Sequence, residues 1–530
     1  MWLNHVLRRG LDRDPDALAL RDARRDVSWR TLHRDARALA ARLRHDTLPG
    51  SRVLVLSTNR VEVLETYFAC AAAGLVAVPV NPALTDPEIG AIMESVEPSA
   101  AVAEEAYAAR LGALYPGLPV TDIATVAELP DADAGAASAG PAGVGSVEAG
   151  SAGVGSSDPG AMDDAGSGMA EPVLILHTSA TTGRAKGVVV DQRSLQINAL
   201  SWIADVGPRP GTAFLNAGPL FHGSVVIALD HLAAGGTVCV LDRFTPQGCL
   251  AALERWRIEH AFLVPSMVRL LLRAKGLPRT DLSRLRLLLH GAAPMPEDLA
   301  REARERLGAD LQTIFGITEG GGPVLTLRPD TPVGPPPVPG AVCVGVPMLG
   351  AGLRVTDADG REVPAGVIGE LQVSGDGLMQ AYWKNPEATA DVLRDGRLNT
   401  HDVGCVDRDG RVWVVDRRND LILRGGQNVY PAEIEHVLRQ SANVADVVVV
   451  PVPSETWGQT PVAFVQPAGD DRFDPEELLR LCVAGLAPYK RPTHFLPIER
   501  IPRNPAGKAL RTDLREIARQ TLTADRENTA

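Results

Sequence analysis

The sequence has 530 residues, of which 45 % are hydrophobic and 22 % charged, and its formal net charge is −12. A chain of this length is expected to form more than one domain with sizeable cores. The acidic balance argues against nucleic acid or an anionic membrane as the main partner, but it is compatible with a local basic site for a small anion.

The N-terminal sequence, the longest apolar run and the cysteines indicate the cellular compartment that we expect. The N-terminal segment lacks the charged-then-apolar pattern of a secretory signal, and the longest nearly apolar run, Tyr67 to Val80, is too short to span a bilayer. No Cys-x-x-Cys pair occurs among the six cysteines, which are Cys70, Cys239, Cys249, Cys343, Cys405 and Cys482. We therefore expect a cytoplasmic protein with reduced, buried thiols and no integral membrane association.

In the first part of the chain, helical and strand-like patterns alternate. Residues 28–44 and 63–73 have the apolar spacing of helices, whereas residues 52–57 and 75–80 form short β-rich runs. This alternation predicts α/β layers with largely parallel strands.

Residues 129–171 interrupt this pattern. The segment is rich in Ala, Gly, Ser, Asp and Pro, and the pentapeptide AGVGS occurs twice, at 142–146 and 152–156. Such a composition buries too little apolar surface to offset the entropy of ordering the segment. We predict a disordered surface insertion within the first domain.

A polar loop follows the apolar run at 173–176. HTSATTGRAKG (177–187) contains four hydroxyl residues, two glycines and two cations, a combination that suits a polyphosphate. The chain has no GxxxxGK[ST], GxGxxG or GxSxG motif, so P-loop, Rossmann and serine-hydrolase interpretations lack their usual support. Taken alone, the loop could equally be an ordinary polar turn.

After about residue 340 the pattern changes to short strands. Residues 353–363, 369–375 and 407–418 predict hairpins with Asp-Gly turns, and hence a β-rich subdomain.

A small domain is predicted at the C-terminus, with a strand at 444–452 between helices at 432–440 and 475–484. The fold class is therefore α/β. We expect a large N-terminal domain (1–417) of α/β layered subdomains plus the β-rich subdomain, followed by a small α+β C-terminal domain (418–530).

Seven short motifs follow one another in the order of a known family. They are HTSATTGRAKGV (177–188), PLFHG (219–223), LHGAAP (289–294), FGITE (315–319), THD (400–402), DRRNDLILRGGQNVYPAEIE (416–435) and NPAGK (504–508). In this order and spacing the chain resembles the adenylate-forming superfamily of acyl-CoA synthetases, aryl-CoA ligases, peptide-synthetase adenylation domains and luciferases. The resemblance runs from about Ser28 to Arg511, apart from the insertion.

The resemblance implies a two-step reaction. A carboxylate attacks the α-phosphate of ATP to give an acyl-adenylate and pyrophosphate, and a thiol then displaces AMP. It also implies Mg²⁺ as cofactor, CoA or a phosphopantetheine thiol as acceptor, and a small mobile C-terminal domain that rotates between the two half-reactions.

The resemblance assigns an ATP- and AMP-binding site. Thr318 and Lys508 would contact the α-phosphate, and Asp402 would accept hydrogen bonds from the ribose hydroxyls. The other assigned positions are Thr178, Ser179, Thr181, Thr182, Gly183, Lys186, Gly291, Ala292, Ala293, Pro294, Phe315, Gly316 and Arg417.

The catalytic candidates come from the same motifs. Lys508 matches the catalytic lysine that bridges the carboxylate and the α-phosphate. Thr318 and His222 are further candidates, and Glu319 matches the Mg²⁺ ligand, a hard oxygen donor for a hard cation.

The remaining assignments concern the acid, the hinge and the thiol. His222 would lie at the acyl pocket, where Gly320 and Gly321 would leave space in the wall. Asn419 falls at the hinge position, and Gly425 and Gly426 match the glycines of the pantetheine tunnel.

Five positions depart from the family pattern without removing a charged group. Ala180 and Ala381 stand where most relatives have glycine, and Ala185 stands in place of proline. Phe315 stands in place of tyrosine and His401 in place of glycine. For His401, both a packing variation and an extra contact at the nucleotide or acceptor site remain open.

The substrate and acceptor stay open at this stage. Residues 219–226 contain no acidic side chain of the kind that pairs with an α-amino group, so we expect an aliphatic or aryl acid rather than an α-amino acid. The chain could be a CoA ligase, or it could pass its acyl group to a carrier protein, an amine or another small nucleophile. It could also be a catalytically weak relative with a binding role. Against this, the charged residues expected at the site are present, namely Lys186, Glu319, Asp402, Arg417 and Lys508.

Overall fold

The computed structural model describes residues 2–130, 168–178, 185–338, 340–417, 420, 422–424, 427–454, 457–469, 473–504 and 507–529. Most of the predicted insertion, residues 131–167, therefore lies outside the described residues.

The region before the insertion alternates helices and strands. The helices are α1 (Trp2–Arg13), α2 (Trp29–Asp46), α3 (Val61–Ala73), α4 (Asp86–Val96) and α5 (Glu105–Leu114). The strands are β1 (Leu18–Arg21), β2 (Asp26–Ser28), β3 (Arg52–Leu56), β4 (Val76–Val80), β5 (Ala100–Ala103) and β6 (Val120–Asp122). The elements predicted at 28–44, 52–57, 63–73 and 75–80 are confirmed.

The region after the insertion continues the alternation. Its strands are β7 (Pro172–Thr178), β8 (Lys186–Asp191), β9 (Ala213–Asn216), β10 (Thr237–Val240), β11 (His260–Phe262), β12 (Leu287–His290), β13 (Asp310–Ile317) and β14 (Gly322–Leu327). Its helices are α6 (Gln192–Asp205), α7 (Ser224–Ala233), α8 (Pro246–Arg255), α9 (Pro265–Leu272) and α10 (Glu297–Leu307).

The β-rich region and the small C-terminal domain complete the chain. The former contains β15 (Val342–Pro347), β16 (Gly352–Thr356), β17 (Gly369–Ser374), β18 (Ala381–Tyr382), α11 (Pro386–Val392), β19 (Leu393–Arg394), β20 (Arg397–Val406) and β21 (Val412–Arg417). The latter contains β22 (Ile422–Arg424), β23 (Gln427–Val429), α12 (Pro431–Leu438), β24 (Val444–Ser454), β25 (Gly458–Pro467), α13 (Pro475–Gly485), β26 (His494–Pro497) and α14 (Arg511–Thr529).

Within the described residues the strands form three sheets. The first has the order β18-β8-β7-β4-β3-β5-β6, and the smallest, in the C-terminal domain, has the order β23-β22-β25-β24 with β26 beside β25. The largest has the order β16-β17-β20-β21-β15-β14-β13-β12-β11-β9-β10-β1-β2 with β19 beside β20. This arrangement confirms the α/β class and the small C-terminal domain.

The predicted β-rich subdomain is present, and strand pairing joins it to the parallel sheet. β14 pairs with β15, with Leu325 opposite Pro347, and β15 pairs with β21. Of the predicted hairpins, the Asp-Gly turn at 409–410 joins β20 to β21. After the turn at 359–360 only one bridge forms, between Thr356 and Glu362, and β16 pairs with β17 instead.

Contacts in the described part of the chain show the C-terminal domain packed on the N-terminal domain. Tyr430 packs against the buried cluster that contains Cys343 and Trp413. Farther along the chain, a Cβ atom on Gly507 would lie 2.9 Å from Cγ2 of Val264, which directly precedes α9. These contacts bring the loop around Lys508 against the N-terminal domain.

The cysteines agree with the expectation from the sequence. All six are buried and none forms a disulfide. None of the helices in the described part of the chain is long and apolar enough to cross a membrane.

A buried carboxylate ties together three elements of the C-terminal domain. Glu435 on α12 accepts hydrogen bonds from Arg511 Nη2 and from the backbone N–H of Val449, each at 2.9 Å. Burial raises the pKa of Glu435, but the charges of Arg511 and Arg439 and the Val449 N–H more than offset this, so its pKa is lowered. The ionised carboxylate therefore contributes stability above its unfolded pKa of about 4.3, and this contribution is lost as the pH falls through the folded value.

We predict that Glu435→Gln lowers the free energy of unfolding at pH 7 by about 3 kcal/mol, because it removes a buried charge that pairs with Arg511 and leaves Asp420 as the other carboxylate beside that guanidinium. The difference from the wild-type chain should shrink as the pH falls below about 4.3. Urea unfolding at several pH values measures both effects. Glu302→Gln, which removes an exposed ion pair with Arg306, is the matched control and should change little at any pH. A pH-independent loss for Glu435→Gln would contradict the prediction.

Candidate active site

The predicted site residues follow the carboxyl ends of parallel strands. β9, β11, β12 and β13 pair in parallel in that order, so their carboxyl ends lie at one edge of the sheet, where α/β proteins bind ligands. His222 follows β9, residues 291–294 follow β12, and residues 315–319 end β13 and follow it. The structure thus gathers three of the seven motifs at one edge.

The segment after β12 is shaped by a close approach to β13. A Cβ atom on Gly291 would lie 2.2 Å from the carbonyl oxygen of Ile314, so a side chain is excluded there. Ala292 has a left-handed backbone with φ 63°, which is uncommon for a residue with a side chain. Burial lowers the pKa of the preceding His290 to about 4, so its imidazole is neutral. The predicted adenine wall, residues 291–294, therefore begins with a fixed turn beside β13.

A second close contact shapes the end of β13. The register between β13 and β14 shifts between Phe315 and Gly316, and a Cβ atom on Gly316 would lie 2.7 Å from the carbonyl oxygen of Gly322. Phe315 is partly buried against the core. This irregularity lies immediately before Thr318 and Glu319 and fixes where the chain leaves the sheet.

Glu319 is held by Tyr382, a residue that the sequence analysis did not single out. Tyr382 Oη donates a 2.7 Å hydrogen bond to Glu319 Oε1. Burial and the neighbouring Glu319 carboxylate raise the pKa of Tyr382, so its hydroxyl stays protonated and donates. Lys186 Nζ lies 4.9 Å from the centroid of the same ring, within cation–π range. One tyrosine therefore links the predicted metal ligand to the predicted phosphate lysine.

The carboxylate of Glu319 retains capacity to bind a metal ion. Oε1 accepts the Tyr382 bond, and no hydrogen bond to Oε2 is found among the described residues. The described part of the chain contains no cluster of three or more His, Cys, Asp and Glu side chains that could hold a metal ion by themselves. Mg²⁺ fits such a site, because it keeps several waters and usually takes one or two carboxylates plus substrate phosphates.

The predicted phosphate loop connects two paired strands. Thr178 at the end of β7 lies opposite Lys186 at the start of β8 in an antiparallel pair. The residues between them that were assigned to ATP, namely Ser179, Thr181, Thr182 and Gly183, lie outside the described residues, as does Ala180. Ala185 is described and is exposed.

The predicted ribose-binding residues lie opposite each other on neighbouring strands. Asp402 on β20 pairs with Arg417 on β21 in the antiparallel register. Asp402 is 3 % exposed, and its backbone N–H donates to Thr400 Oγ1 at 3.1 Å. The pairing places the two motifs THD and DRR side by side, as a shared ribose contact requires.

His401 has a left-handed backbone, with φ 57°. A residue with a side chain is strained in this region, whereas glycine is not. The conformation accounts for the glycine of most relatives at this position, and the backbone N–H of His401 donates to Asn399 Oδ1 at 2.8 Å.

The loop that carries Lys508 is closed by its own hydrogen bonds. The backbone N–H of Lys508 donates to Asn504 Oδ1 at 2.9 Å, and Asn504 N–H donates to the Lys508 carbonyl at 2.8 Å. Gly507 supports the turn with φ 80° and contacts Val264 and Ser266. Because Val264 follows β11, the Lys508 loop lies beside the carboxyl edge that holds the other motifs.

His222 occupies the turn before α7. Its backbone N–H donates to the Pro219 carbonyl at 3.1 Å, and its own carbonyl accepts from Val225 N–H at 2.9 Å. Burial lowers the pKa of His222, so its imidazole is neutral near pH 7.

The glycines after FGITE are explained by close packing. A Cβ atom on Gly321, which has φ 71°, would lie 2.2 Å from the carbonyl oxygen of Gly377. A Cβ atom on Gly320 would lie 3.1 Å from Cγ1 of Val324. The sequence analysis assigned Gly320 and Gly321 to open space at the pocket wall, and the contacts give packing as the reason for both.

Asn419, Gly425 and Gly426 lie outside the described residues, and for Arg417 only the backbone is described.

Comparisons with known proteins agree with this site. The AMP-binding enzyme family matches residues 7–383, and the AMP-binding enzyme C-terminal domain matches residues 433–508. A feruloyl-CoA synthase from Amycolatopsis sp is 34 % identical over 507 residues, which cover 94 % of this chain and 96 % of that protein. The fatty acid–[acyl-carrier-protein] ligase ScoC from Streptomyces coeruleorubidus is also 34 % identical, over 93 % of this chain and 92 % of its own.

Solved structures show the same fold over the full length. ATP-bound MatB from Rhodopseudomonas palustris has a TM-score of 0.84 at 27 % identity, with 98 % of this chain and 99 % of that chain covered. The amide bond synthetase McbA from Marinactinospora thermotolerans has a TM-score of 0.80 at 29 % identity, with 97 % and 99 % covered.

The chain therefore belongs to the AMP-binding, adenylate-forming enzymes. Within that family it is an acid–thiol ligase, which activates a carboxylic acid by adenylation and then forms a thioester.

We predict that Tyr382→Phe raises the Mg²⁺ concentration needed for half-maximal activity about tenfold, because loss of a hydrogen bond to a metal ligand typically weakens metal binding by this amount. The phenyl ring should keep its contact with Lys186. Acid-dependent exchange of pyrophosphate into ATP, titrated with Mg²⁺, measures the effect. Tyr107→Phe on α5, which removes a tyrosine hydroxyl that makes no hydrogen bond to Glu319, is the control. An unchanged Mg²⁺ titration would show that the Tyr382 hydroxyl does not orient Glu319.

We predict that His401→Gly raises the free energy of unfolding by about 1 kcal/mol, because glycine relieves the left-handed backbone strain. His401→Ala is the matched control, since it removes the imidazole and keeps the strain. Urea unfolding of the three proteins measures the difference. If His401→Ala stabilises as much as His401→Gly, the imidazole and not the backbone is responsible.

Proposed function

We propose that the chain is an acyl-CoA synthetase that converts an aryl or aliphatic carboxylic acid to its CoA thioester through an acyl-adenylate. The observation that carries the proposal is the position of the Lys508 loop against Val264, at the sheet edge where Glu319 and the adenine wall also lie. A loop in this position would bring the cation of Lys508 to the predicted phosphate site.

In the first half-reaction, an anionic carboxylate approaches the polyanionic ATP. Lys508 bridges the carboxylate and the α-phosphate and offsets their repulsion, and Thr318 donates to the α-phosphate. At 4 Å a unit charge contributes about 1 kcal/mol in water and about 4 kcal/mol at a partly buried site. The contribution of Lys508 therefore depends on the C-terminal domain being docked.

Different parts of the nucleotide are bound by different groups. The turn at residues 291–294 and the ring of Phe315 enclose the adenine, and Asp402 accepts from both ribose hydroxyls with support from Arg417. Hydroxyl groups and backbone N–H groups of the loop after Thr178 bind the β- and γ-phosphates together with Lys186.

Mg²⁺ bound by Glu319 and the phosphates would supply positive charge at the triphosphate. The protein would contribute one carboxylate oxygen of Glu319 to the ion. The hydrogen bond from the Tyr382 hydroxyl orients this carboxylate.

The acid lies with its carboxylate near His222 and its remaining atoms along α7. The neutral imidazole of His222 can donate to the carboxylate without competing with Lys508 for charge. Several relatives are named for aryl acids, such as the feruloyl-CoA synthase and the indoleacetate–CoA ligase, which supports an aryl acid here.

CoA is the preferred acceptor because most of the similar ligases are named for it. Gly425 and Gly426 would leave room for its pantetheine arm, and rotation about Asn419 would exchange the Lys508 loop for this tunnel after adenylation. The similarity to ScoC supports a carrier-protein thiol as the second candidate. A cytoplasmic location, where CoA and ATP are available, fits the reduced cysteines.

We predict that Lys508→Ala lowers acid-dependent ATP–pyrophosphate exchange by at least about 100-fold, because the cation at the transition state is lost. The same variant should still form thioester from a supplied acyl-adenylate, since that step does not need this lysine. Lys384→Ala, which removes an exposed lysine paired with Glu97, is the control. Unchanged exchange in Lys508→Ala would overturn the assigned role.

A panel of carboxylic acids in the exchange assay, followed by CoA, carrier protein and amines for each active acid, tests the whole proposal. Thioester formation with CoA is the expected result. Exchange without transfer to CoA, but with transfer to a carrier protein, would favour the second candidate.

A further inference from the structure

The turn that carries His222 connects β9 to α7 and consists of residues 217–223. Leu220 in this turn is buried, whereas residues 221–223 are half-buried. The turn therefore has a buried base and a half-buried tip. The tip holds the imidazole that the proposed function places near the carboxylate of the acid.

A side chain from a different sheet binds the base of this turn. Asn59 follows β3 of the first sheet, whereas β9 belongs to the largest sheet, and Asn59 is 7 % exposed. Its Oδ1 accepts a 2.9 Å hydrogen bond from the Leu220 N–H. Its Nδ2 donates to the Gly218 carbonyl at 2.8 Å. Asn59 therefore fixes the backbone two and four residues before His222.

The same amide reaches a third segment. Asn59 Nδ2 also donates to the carbonyl of Leu241, directly after β10, at 3.1 Å. The amide thus makes two hydrogen bonds as donor and one as acceptor. An aspartate at this position would place an oxygen against two carbonyl groups, and a leucine would make none of the three bonds. The site therefore requires the amide itself.

Tyr67 binds the other polar backbone group of Leu220. Its side chain lies on α3 and is fully buried, and its hydroxyl donates to the Leu220 carbonyl at 3.0 Å. The N–H and the carbonyl of Leu220 are thus both bound by side chains from the region of β3 and α3. These two bonds set the orientation of the backbone two residues before His222.

Further hydrogen bonds connect the base of the turn to its tip. The backbone N–H of His222 donates to the Pro219 carbonyl at 3.1 Å, and Asn216 Nδ2 donates to the Gly218 carbonyl at 2.9 Å. A Cβ atom on Gly218 would lie 3.0 Å from Oγ of Ser224, so the turn is closed on itself. A displacement of the base would therefore move His222 with it.

We propose that Asn59 is a positioning residue of the reaction, which holds the imidazole of His222 where it meets the carboxylate of the acid. Asn59 is buried and acts through the turn, and Tyr67 supports it through Leu220. This inference rests on the proposed function, in which His222 donates to that carboxylate.

A substitution of Asn59 should affect the acid more than ATP. Asn59→Leu keeps the approximate size of the side chain and leaves the Leu220 N–H buried without its partner, so the turn would shift. We expect kcat/KM for the acid in pyrophosphate exchange to fall about tenfold to 100-fold, because small displacements of positioning groups have effects of this size. The KM for ATP should change by less than about twofold, as for sites that do not share partners.

Thr237→Val is the matched control. It removes another buried hydrogen bond from a side chain to a backbone carbonyl, from Thr237 Oγ1 to Leu18 at 2.7 Å. Thr237 begins β10, whereas Leu241 follows the end of that strand. The control should leave kcat/KM for the acid unchanged. An equal loss in Thr237→Val and Asn59→Leu would show a general structural effect and overturn the inference.

A double-mutant cycle with His222 separates positioning from a general loss of structure. If Asn59 acts through His222, Asn59→Leu should change kcat/KM for the acid by less than about twofold in a His222→Ala background. Losses that add in free energy would overturn the inference and leave the proposed function intact. An unchanged kcat/KM for the acid in His222→Ala alone would overturn the proposed place of the carboxylate, and the inference with it.

Tyr67→Phe provides a second, milder variant that keeps the ring and removes only the hydrogen bond to the Leu220 carbonyl. We expect a fall in kcat/KM for the acid of about fivefold, the effect of one hydrogen bond. This fall should also disappear in the His222→Ala background. If Asn59→Leu does not fold, Tyr67→Phe decides the matter, and an unchanged kcat/KM for the acid in this variant would overturn the inference.

Discussion

The candidate site depends on the parallel pairing of β9, β11, β12 and β13. Because these strands point the same way, the segments that follow them emerge at one edge, although they are separated by many residues along the chain. A close backbone contact at Gly291 then fixes the segment after β12 against β13, and another at Gly316 fixes the end of β13 against β14. β14 and β15 extend the same sheet to β20 and β21. Asp402 and Glu319 are therefore held by one continuous hydrogen-bonded frame.

The charge distribution at the site follows from burial. Burial lowers the pKa of His177 and of His290 to about 4 and also lowers that of His222, so these imidazoles are neutral near pH 7. Fixed positive charge must come from side chains such as Lys186 and Lys508, which belong to separate parts of the fold. Lys186 is carried by β8, and Lys508 arrives with the C-terminal domain. In the proposed reaction, charge compensation at the α-phosphate would therefore depend on docking of that domain, and release of the domain would remove it.

The sequence predicted the parts of the structure that depend on local patterns. The sequence alone was enough to predict the alternating helices and strands, the α/β class and the order of the motifs. It did not explain why most relatives have glycine at the position of His401, and the left-handed backbone of this residue in the structure gives the reason. Contacts between distant segments could not be read. Tyr382 meets Glu319 across 63 residues, and nothing in the residues around Tyr382 indicates that partner. The junction of β14 and β15, which merges the β-rich region with the parallel sheet, likewise depends on tertiary pairing.

The glycines at 320–322 show why a sequence pattern can have two physical meanings. Consecutive glycines are expected both where a ligand needs room and where backbones approach closely. Gly321 meets the carbonyl oxygen of Gly377, and Gly322 meets Asn198 and Val226, so here the second reason applies. The backbone of β14 at Gly322 is thus packed closely against α6 and α7, and these contacts exclude a side chain there.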